Sequence, residues 1–313
     1  MKAFYTDIFV LPLPNEHKFP MSKYRRVREE IVARGILLES QLSPPRAATD
    51  EELLRAHCPA YLERLRRGTL SPRDQRRLGF PWSAELLERS RRSVGGTLEA
   101  TDAALEDGIG VNLAGGTHHA FYNRPEGFCV FNDAIVAAHH AIETRGIEKV
   151  LIVDLDVHQG NGTASLASGC PSIFTFSMHG ANNFPYKKEV SDLDIALLDE
   201  TGNGAYLRAL DVALAQISER FVPELVIYLA GADPYADDRY GHLALDKRGL
   251  YLRDERVLTW CRSQDYPVAV TMAGGYAPNV DDIVDIHLNT VSLAARTYST
   301  PARPSAGITN TPA

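Results

Sequence analysis

The run VLIVDLDVHQGNG, residues 150–162, sets Asp154, Asp156 and His158 at two-residue spacing where an apolar stretch ends. On an extended backbone those three side chains share one face, and Leu151, Val153, Leu155 and Val157 point to the other. Two carboxylates and an imidazole leaving a strand together can be aimed into a cleft as metal ligands. A DxH pair alone is common as a hydrogen-bonded strand end, so its companions decide the reading. Asp233 closes another apolar run, LVIYLAGADP, and adds a carboxylate. Asp156, His158 and Asp233 would give three ligands and one open position, the coordination of a catalytic zinc rather than a structural one. Iron(II) and cobalt(II) accept the same oxygen and nitrogen donors.

A second source of chemistry is GGTHHA, where His118 and His119 follow a Gly-Gly turn. Adjacent imidazoles at a strand end can act as acid and base, provided a partner fixes each tautomer, and Asp154 and Asn161 are the candidates. Tyr276 follows Gly274 and Gly275 in AGGYAP and can point its hydroxyl at a carbonyl oxygen. Metal, histidine pair and hydroxyl are what hydrolysis of an unactivated amide needs.

Five apolar runs end in clusters of Gly, His, Asp or Tyr: 111–119, 150–158, 172–180, 225–234 and 267–276. Helical spacing fills the intervals, as in Leu207, Leu210, Leu214, Ile217 and Phe221, and in Leu250, Val257 and Cys261. The alternation predicts an α/β fold with a mainly parallel central sheet, helices on both faces, and the site beyond the carboxyl ends of the strands. A helix is also expected over 18–35, and one or two helices, interrupted at Gly95 and Gly96, over 83–107. No linker or repeat divides residues 1–297, so one catalytic domain is expected there. A flexible Pro/Ser/Thr-rich tail is expected over 298–313.

Composition narrows the class. A chain of 313 residues with 44% hydrophobic content suits a large soluble domain. Its start lacks the apolar core of a secretory signal, and no run of about 18 apolar residues could span a membrane. Cys58, Cys129, Cys170 and Cys261 have no CxxC spacing, which fits reduced thiols in a cytoplasm. The net charge of −7 disfavours nucleic acid as a partner. The arginine-rich stretch from Arg64 to Arg92 departs from that average; it reads as solvated surface, with a docking patch for an acidic partner as the alternative. His139 and His140 read as surface or cap residues of a helix, His57 and Cys58 as structural, and Cys129 as a small buried hydrophobe. His242 reads as exposed loop, and Trp82 and Trp260 as packing residues.

In order along the chain, GGTHHAFYNRPEGFCVFND, VDLDVHQGNG, TFSMHG, AGADP and AGGY resemble the motifs of the histone deacetylase family, from about Phe4 to Asn289. HQGNG and ADDRYGHLALDKRGLYLRDERV are similar to its class IV branch. The resemblance implies a single arginase/deacetylase-like domain and a zinc-dependent amidohydrolase that removes acetyl or longer acyl groups from lysine side chains. It implies Asp156, His158 and Asp233 as zinc ligands, His119 as general base and then acid, and His118 as the neighbouring imidazole held by Asp154. Asn161 would back the second histidine, and Tyr276 would stabilise the oxyanion. Phe128 and Phe184, with Gly127 and Gly275, match an acyl-lysine tunnel. Asp154, Asp156, His158, Ser177 and Met178 match a potassium site. The implied partners are acylated lysines in proteins or peptides, or acylated small amines.

Several positions qualify that picture. Asn161 stands where many members carry aspartate, and a neutral amide would leave His119 uncharged to lower pH. GADP offers no second aspartate two residues after Asp233, which favours one metal over the two-manganese arginase arrangement. Acetylpolyamine amidohydrolases share the ligand set and need an acidic entrance, which Asp237 and Asp238 could supply. A rim of Phe184, Tyr240 and Leu243 would favour longer acyl chains. A non-catalytic acyl-lysine-binding protein is the reading from another class, against which stands the retention of every ligand and of Tyr276.

Overall fold

Alternating side chains along each apolar run determine which layer they enter. In the computed structural model, which describes residues 1–9, 11–14 and 17–299, Leu151 and Val153 join one buried cluster with Val226, Tyr228, Val268 and Val270. Val150 and Ile152 join another with Leu225, Ile227, Leu229 and Ala269. Two cores on opposite faces of one sheet are the outcome that period-two burial dictates.

The chain runs β1 (Lys2–Phe4), α1 (Ser22–Ala33), β2 (Leu42–Ser43), α2 (Asp50–Leu53), α3 (Pro59–Arg67), α4 (Pro72–Leu78) and α5 (Ala84–Asp107). It continues through β3 (Ile109–Asn112), α6 (Asp133–Arg145), β4 (Val150–Asp154), α7 (Asn161–Ala167), β5 (Ile173–Gly180) and β6 (Leu193–Leu197). Last come α8 (Asn203–Arg220), β7 (Leu225–Leu229), α9 (Lys247–Ser263), β8 (Val268–Thr271) and α10 (Val280–Ser299). The eight strands form one sheet in the order β2-β1-β3-β8-β7-β4-β5-β6. Every pairing is parallel, giving the expected single α/β domain. Among the described residues no helix is long and apolar enough to cross a membrane.

The five expected runs supply β3, β4, β5, β7 and β8, whose carboxyl ends lie on one side of the sheet. The short strands β1, β2 and β6, at the two ends of the sheet, escape sequence patterning because they hold two to five residues and lack a continuous apolar run. Contrary to expectation, α5 is unbroken through Gly95 and Gly96. A Cβ at Gly95 would lie 1.8 Å from the Arg46 carbonyl oxygen and one at Gly96 would lie 2.6 Å from Asn112 Oδ1, so these glycines permit close packing rather than a break.

Two further expectations need correction. His140 is buried on α6, with Nε2 3.0 Å from Asp102 Oδ1, because α5 packs over that face. Tyr298 and Ser299, assigned by composition to the tail, complete α10, where the Tyr298 hydroxyl donates to the Tyr266 carbonyl at 3.0 Å. The rest of the expected tail, 300–313, lies outside the described residues.

Candidate active site

The loop leaving β4 carries Asp156 and His158 toward the loop leaving β7, which carries Asp233. One ligand atom from each lies within 4.8 Å of the others, a grouping that could hold a metal ion. All three side chains are buried. His158 Nδ1 is 2.9 Å from Asp156 Oδ1 and 3.3 Å from Asp233 Oδ2. Asp233 Oδ1 accepts from the Val157 N–H at 2.9 Å, but its Oδ2 is buried and has no hydrogen-bond partner among the described residues. Asp156 Oδ2 accepts from the Gly274 N–H at 2.8 Å.

Electrostatics mark the same point. Burial and the Asp156 charge push Asp233 up to about 7. Burial would lower His158, yet the two carboxylates raise it to about 10. Crowded buried carboxylates holding a proton between them form a cavity that a cation would relieve, and two oxygen donors with one imidazole suit a divalent ion. The space around the carboxylates is kept by Gly274, where a Cβ would come within 1.9 Å of Asp233 Oδ2.

His118 and His119 follow β3 and lie side by side, with ring centroids 4.1 Å apart. His118 Nδ1 is 2.6 Å from Asp154 Oδ2. Burial opposes a charge on His118, but Asp154 and Asp156 raise it to about 9. His119 moves the other way, held well below the ordinary histidine range by burial and by the neighbouring charges of His118 and His158. Its Nδ1 lies 2.7 Å from Asn161 Oδ1. Both partners inferred from sequence are therefore in contact with the expected histidines.

Sequence reading missed Glu126. Its Oε1 accepts from Asn161 Nδ2 at 3.1 Å, which fixes the amide so that Oδ1 faces His119. The one available signal was its place two residues before Phe128 in RPEGF. Gly127, between them, has φ +54°, and a Cβ there would lie 2.5 Å from His119 Cδ2. Asp238 was missed in a different sense. Instead of lending charge to the entrance, it accepts from the backbone N–H groups of Tyr240, Gly241 and Tyr276 at 2.8, 3.0 and 2.6 Å, tying the tyrosine loop to the loop after β7.

A cavity of about 740 Å³ joins these groups and is lined by His118, His119, Asp156, His158, Gly127, Phe128, Phe184 and Tyr276 among others. The Phe184 ring meets His119 edge-on at 5.0 Å between centroids, and Phe128 lies 6.1 Å from Tyr276. Tyr276 stays protonated because burial, Asp156 and Asp233 push its phenol well above the usual range. Gly274 and Tyr276 line the cavity, and the carbonyl of Gly275 between them accepts from buried Lys23 Nζ at 3.2 Å. Leu243 also leaves the rim, since it is packed in the core; Tyr240 does line the cavity. Ser177 pairs with Asp154 across β4 and β5, and Met178 is fully buried beside it.

Other singled-out residues are structural. His57 is buried, with Nδ1 3.0 Å from the Phe121 carbonyl and Nε2 accepting from the Asn132 N–H at 2.9 Å. Cys129 is buried, which raises its thiol well above the ordinary range, and it also borders the cavity. His242 is exposed, as expected, although it also borders the cavity.

The chain matches the family model described as Histone deacetylase domain over residues 17–291. It is 43% identical over 284 residues to an uncharacterized protein of Picosynechococcus sp., covering 90% of this chain and 94% of that one. It is 33% identical over 279 residues to Histone deacetylase 2 of Arabidopsis thaliana, covering 86% of this chain and 72% of the relative. The structure of an HDAC homolog from Aquifex aeolicus is similar with a TM-score of 0.80 at 23% identity, covering 93% of this chain and 83% of that one. At that identity the likeness speaks to the fold.

Proposed function

The chain belongs to the histone deacetylase family, a family of hydrolases acting on amides, and from that premise we propose that it is a zinc-dependent lysine deacylase. The observation that carries the reading is the meeting of three chemistries on one cavity: an unsatisfied Asp233 Oδ2 beside His158, an uncharged His119, and a protonated Tyr276. Asp156, His158 and Asp233 would hold the zinc ion, or iron(II) with the same donors. Bound there, the ion would supply a Lewis acid that acidifies water and polarises the scissile carbonyl.

His119 Nδ1 donates to Asn161, so Nε2 is the free base that takes the proton of the attacking water. The same nitrogen returns that proton to the departing lysine amine. His118, held charged by Asp154, keeps its neighbour uncharged until that transfer. The Tyr276 hydroxyl donates to the carbonyl oxygen as negative charge builds there. Phe128, Phe184, Gly127 and Gly275 flank the aliphatic lysine stem. A potassium ion at the strand end formed by Asp154, Asp156, His158, Ser177 and Met178 belongs to the same reading.

Finer features follow from particular residues. Asn161 behind His119 supports placement in the class IV branch. The inner part of the cavity extends to Phe19, Tyr24, Leu86 and Arg89, which is more room than an acetyl group fills and supports longer acyl chains. The catalytic domain is taken as residues 1–297, and four free cysteines support a cytoplasmic setting. The test is a panel of acetyl-, octanoyl- and myristoyl-lysine peptides and acetylpolyamines, run with metal-depleted and zinc-restored protein. Turnover of acyl-lysine that requires the metal is expected, and equal turnover after chelation would overturn the mechanism. A steady decline from acetyl to myristoyl would remove the long-chain preference.

A further inference from the structure

The cavity mouth is basic in a chain whose net charge is −7. Arg76 and Arg77, from α4, and Arg239, from the loop after β7, all line it. Arg76 and Arg239 are exposed, and among the described residues neither makes an ion pair or hydrogen bond. Arg77 lies 3.5 Å from Asp74 Oδ1, a loose contact. The absence of partners at Arg76 and Arg239 contrasts with arginines on α3 and α5. Arg66, Arg67, Arg91 and Arg92 are paired with Asp50, Glu63, Asp50 and Glu88 respectively.

Acidic groups near the opening are already engaged. Glu126 lines the cavity but accepts from Asn161 and faces Arg124 at 3.5 Å. Asp238 accepts from three backbone N–H groups, and Asp199 accepts from Asn182 Nδ2 at 3.2 Å. The arginines approach the opening from two separate stretches of chain, Arg77 next to the backbone that hydrogen-bonds Gly127 and Arg239 next to Tyr240.

We infer that the opening selects acyl-lysine flanked by aspartate or glutamate in a peptide segment, with Arg76 and Arg239 as the specificity-determining residues. The inference rests on the deacylase reading and goes beyond it by naming the sequence context. Two unpaired guanidiniums beside a partly desolvated mouth attract carboxylates and repel cations, which also disfavours a polyamine. Because both arginines are solvent-facing, their effect acts mainly through encounter and orientation and is screened by salt.

The experiment compares peptides that carry one acyl-lysine flanked on both sides by Glu, Gln or Lys, using zinc-loaded protein. At low salt kcat/KM for the Glu peptide should exceed that for the Lys peptide on the order of tenfold, and the ratio should fall toward one near about 0.5 M salt. R76E/R239E should invert the order. R208E, on the exposed face of α8 and away from the cavity, should preserve it. Equal turnover of the three peptides, or a Glu preference that survives R76E/R239E, overturns the inference while leaving the deacylase reading in place. If no peptide is turned over, the deacylase reading fails, and fluorescence anisotropy with the same labelled peptides still decides the charge preference. Tighter binding of the Glu peptide, lost in R76E/R239E, supports a carboxylate-selecting mouth, and equal binding rejects it.

Discussion

His119 Nδ1 lies 2.7 Å from Asn161 Oδ1, and because the Asn161 amide nitrogen is engaged by Glu126, the imidazole must be the donor in that contact. A neutral acceptor holds the tautomer without paying a charge toward protonation, which agrees with the lowered proton affinity of His119. Replacing Asn161 by Asp, together with Glu126→Gln to avoid facing carboxylates, should stabilise the imidazolium. The acidic limb of kcat/KM against pH should move up by about one unit. No upward movement would show that Asn161 does not set this value.

Metal removal should be visible without any turnover. A cation bound to Asp156, His158 and Asp233 stabilises only the folded chain, by about 4 kcal/mol when its concentration is a thousandfold above Kd. Chelation should therefore lower the thermal midpoint, and zinc should restore it. Asp233→Asn should abolish the difference. A midpoint indifferent to chelator would refute metal binding at this cluster.

Tyr276→Phe removes one hydroxyl that makes no hydrogen bond among the described residues, so the fold should be unaffected. If the hydroxyl acts on developing negative charge, kcat should fall by roughly 10² to 10³ with KM little changed. A large rise in KM at constant kcat would instead assign Tyr276 to substrate binding.

His57 contributes a pH dependence of stability distant from the chemistry. Its folded value is pushed down to about 4, because burial disfavours the charge and Nε2 accepts a backbone N–H. The unfolded chain, near 6.5, binds the proton first, so stability contributed at neutral pH is lost as pH falls from about 6.5 to 4. Between pH 7 and pH 5 the loss from this residue is about 2 kcal/mol. His57→Gln can keep both hydrogen bonds and should flatten the slope in urea denaturation by that amount. An unchanged slope would mean that other buried histidines carry it.

Gly95→Ala tests the close packing of α5. In an exposed helix interior this change favours the helix, but here the new methyl would meet the Arg46 carbonyl. The expected result is destabilisation by roughly 1–3 kcal/mol, read from a lowered urea midpoint at constant m.

Legibility in the sequence followed the range of the interactions involved. Runs with two-residue alternation declared β4, β5, β7 and β8, because burial on both faces needs long apolar stretches. The short strands β1 and β2 rest on pairing with distant neighbours and left no local pattern. Gly95 and Gly96 were misread as a break because a glycine's local conformational freedom is visible in sequence and its close neighbour is not. Asp238 was misread as entrance charge for the same reason, since its three backbone donors come from its own loop and from the chain around Tyr276.

The sequence by itself determined which side chains leave the strands together: Asp154, Asp156 and His158 by their spacing, His118 and His119 by adjacency, and Tyr276 by its glycine turn. These follow from local order along the chain, although β4 ends at Asp154 and the loop beyond it carries Asp156 and His158. Tertiary structure alone decided that His118 meets the carboxylate of Asp154 while His119 meets the neutral amide of Asn161, that Glu126 orients Asn161, and that Arg76 and Arg239 line one cavity. Those outcomes depend on burial and on distances between groups far apart in the chain, and neither quantity is written in local spacing.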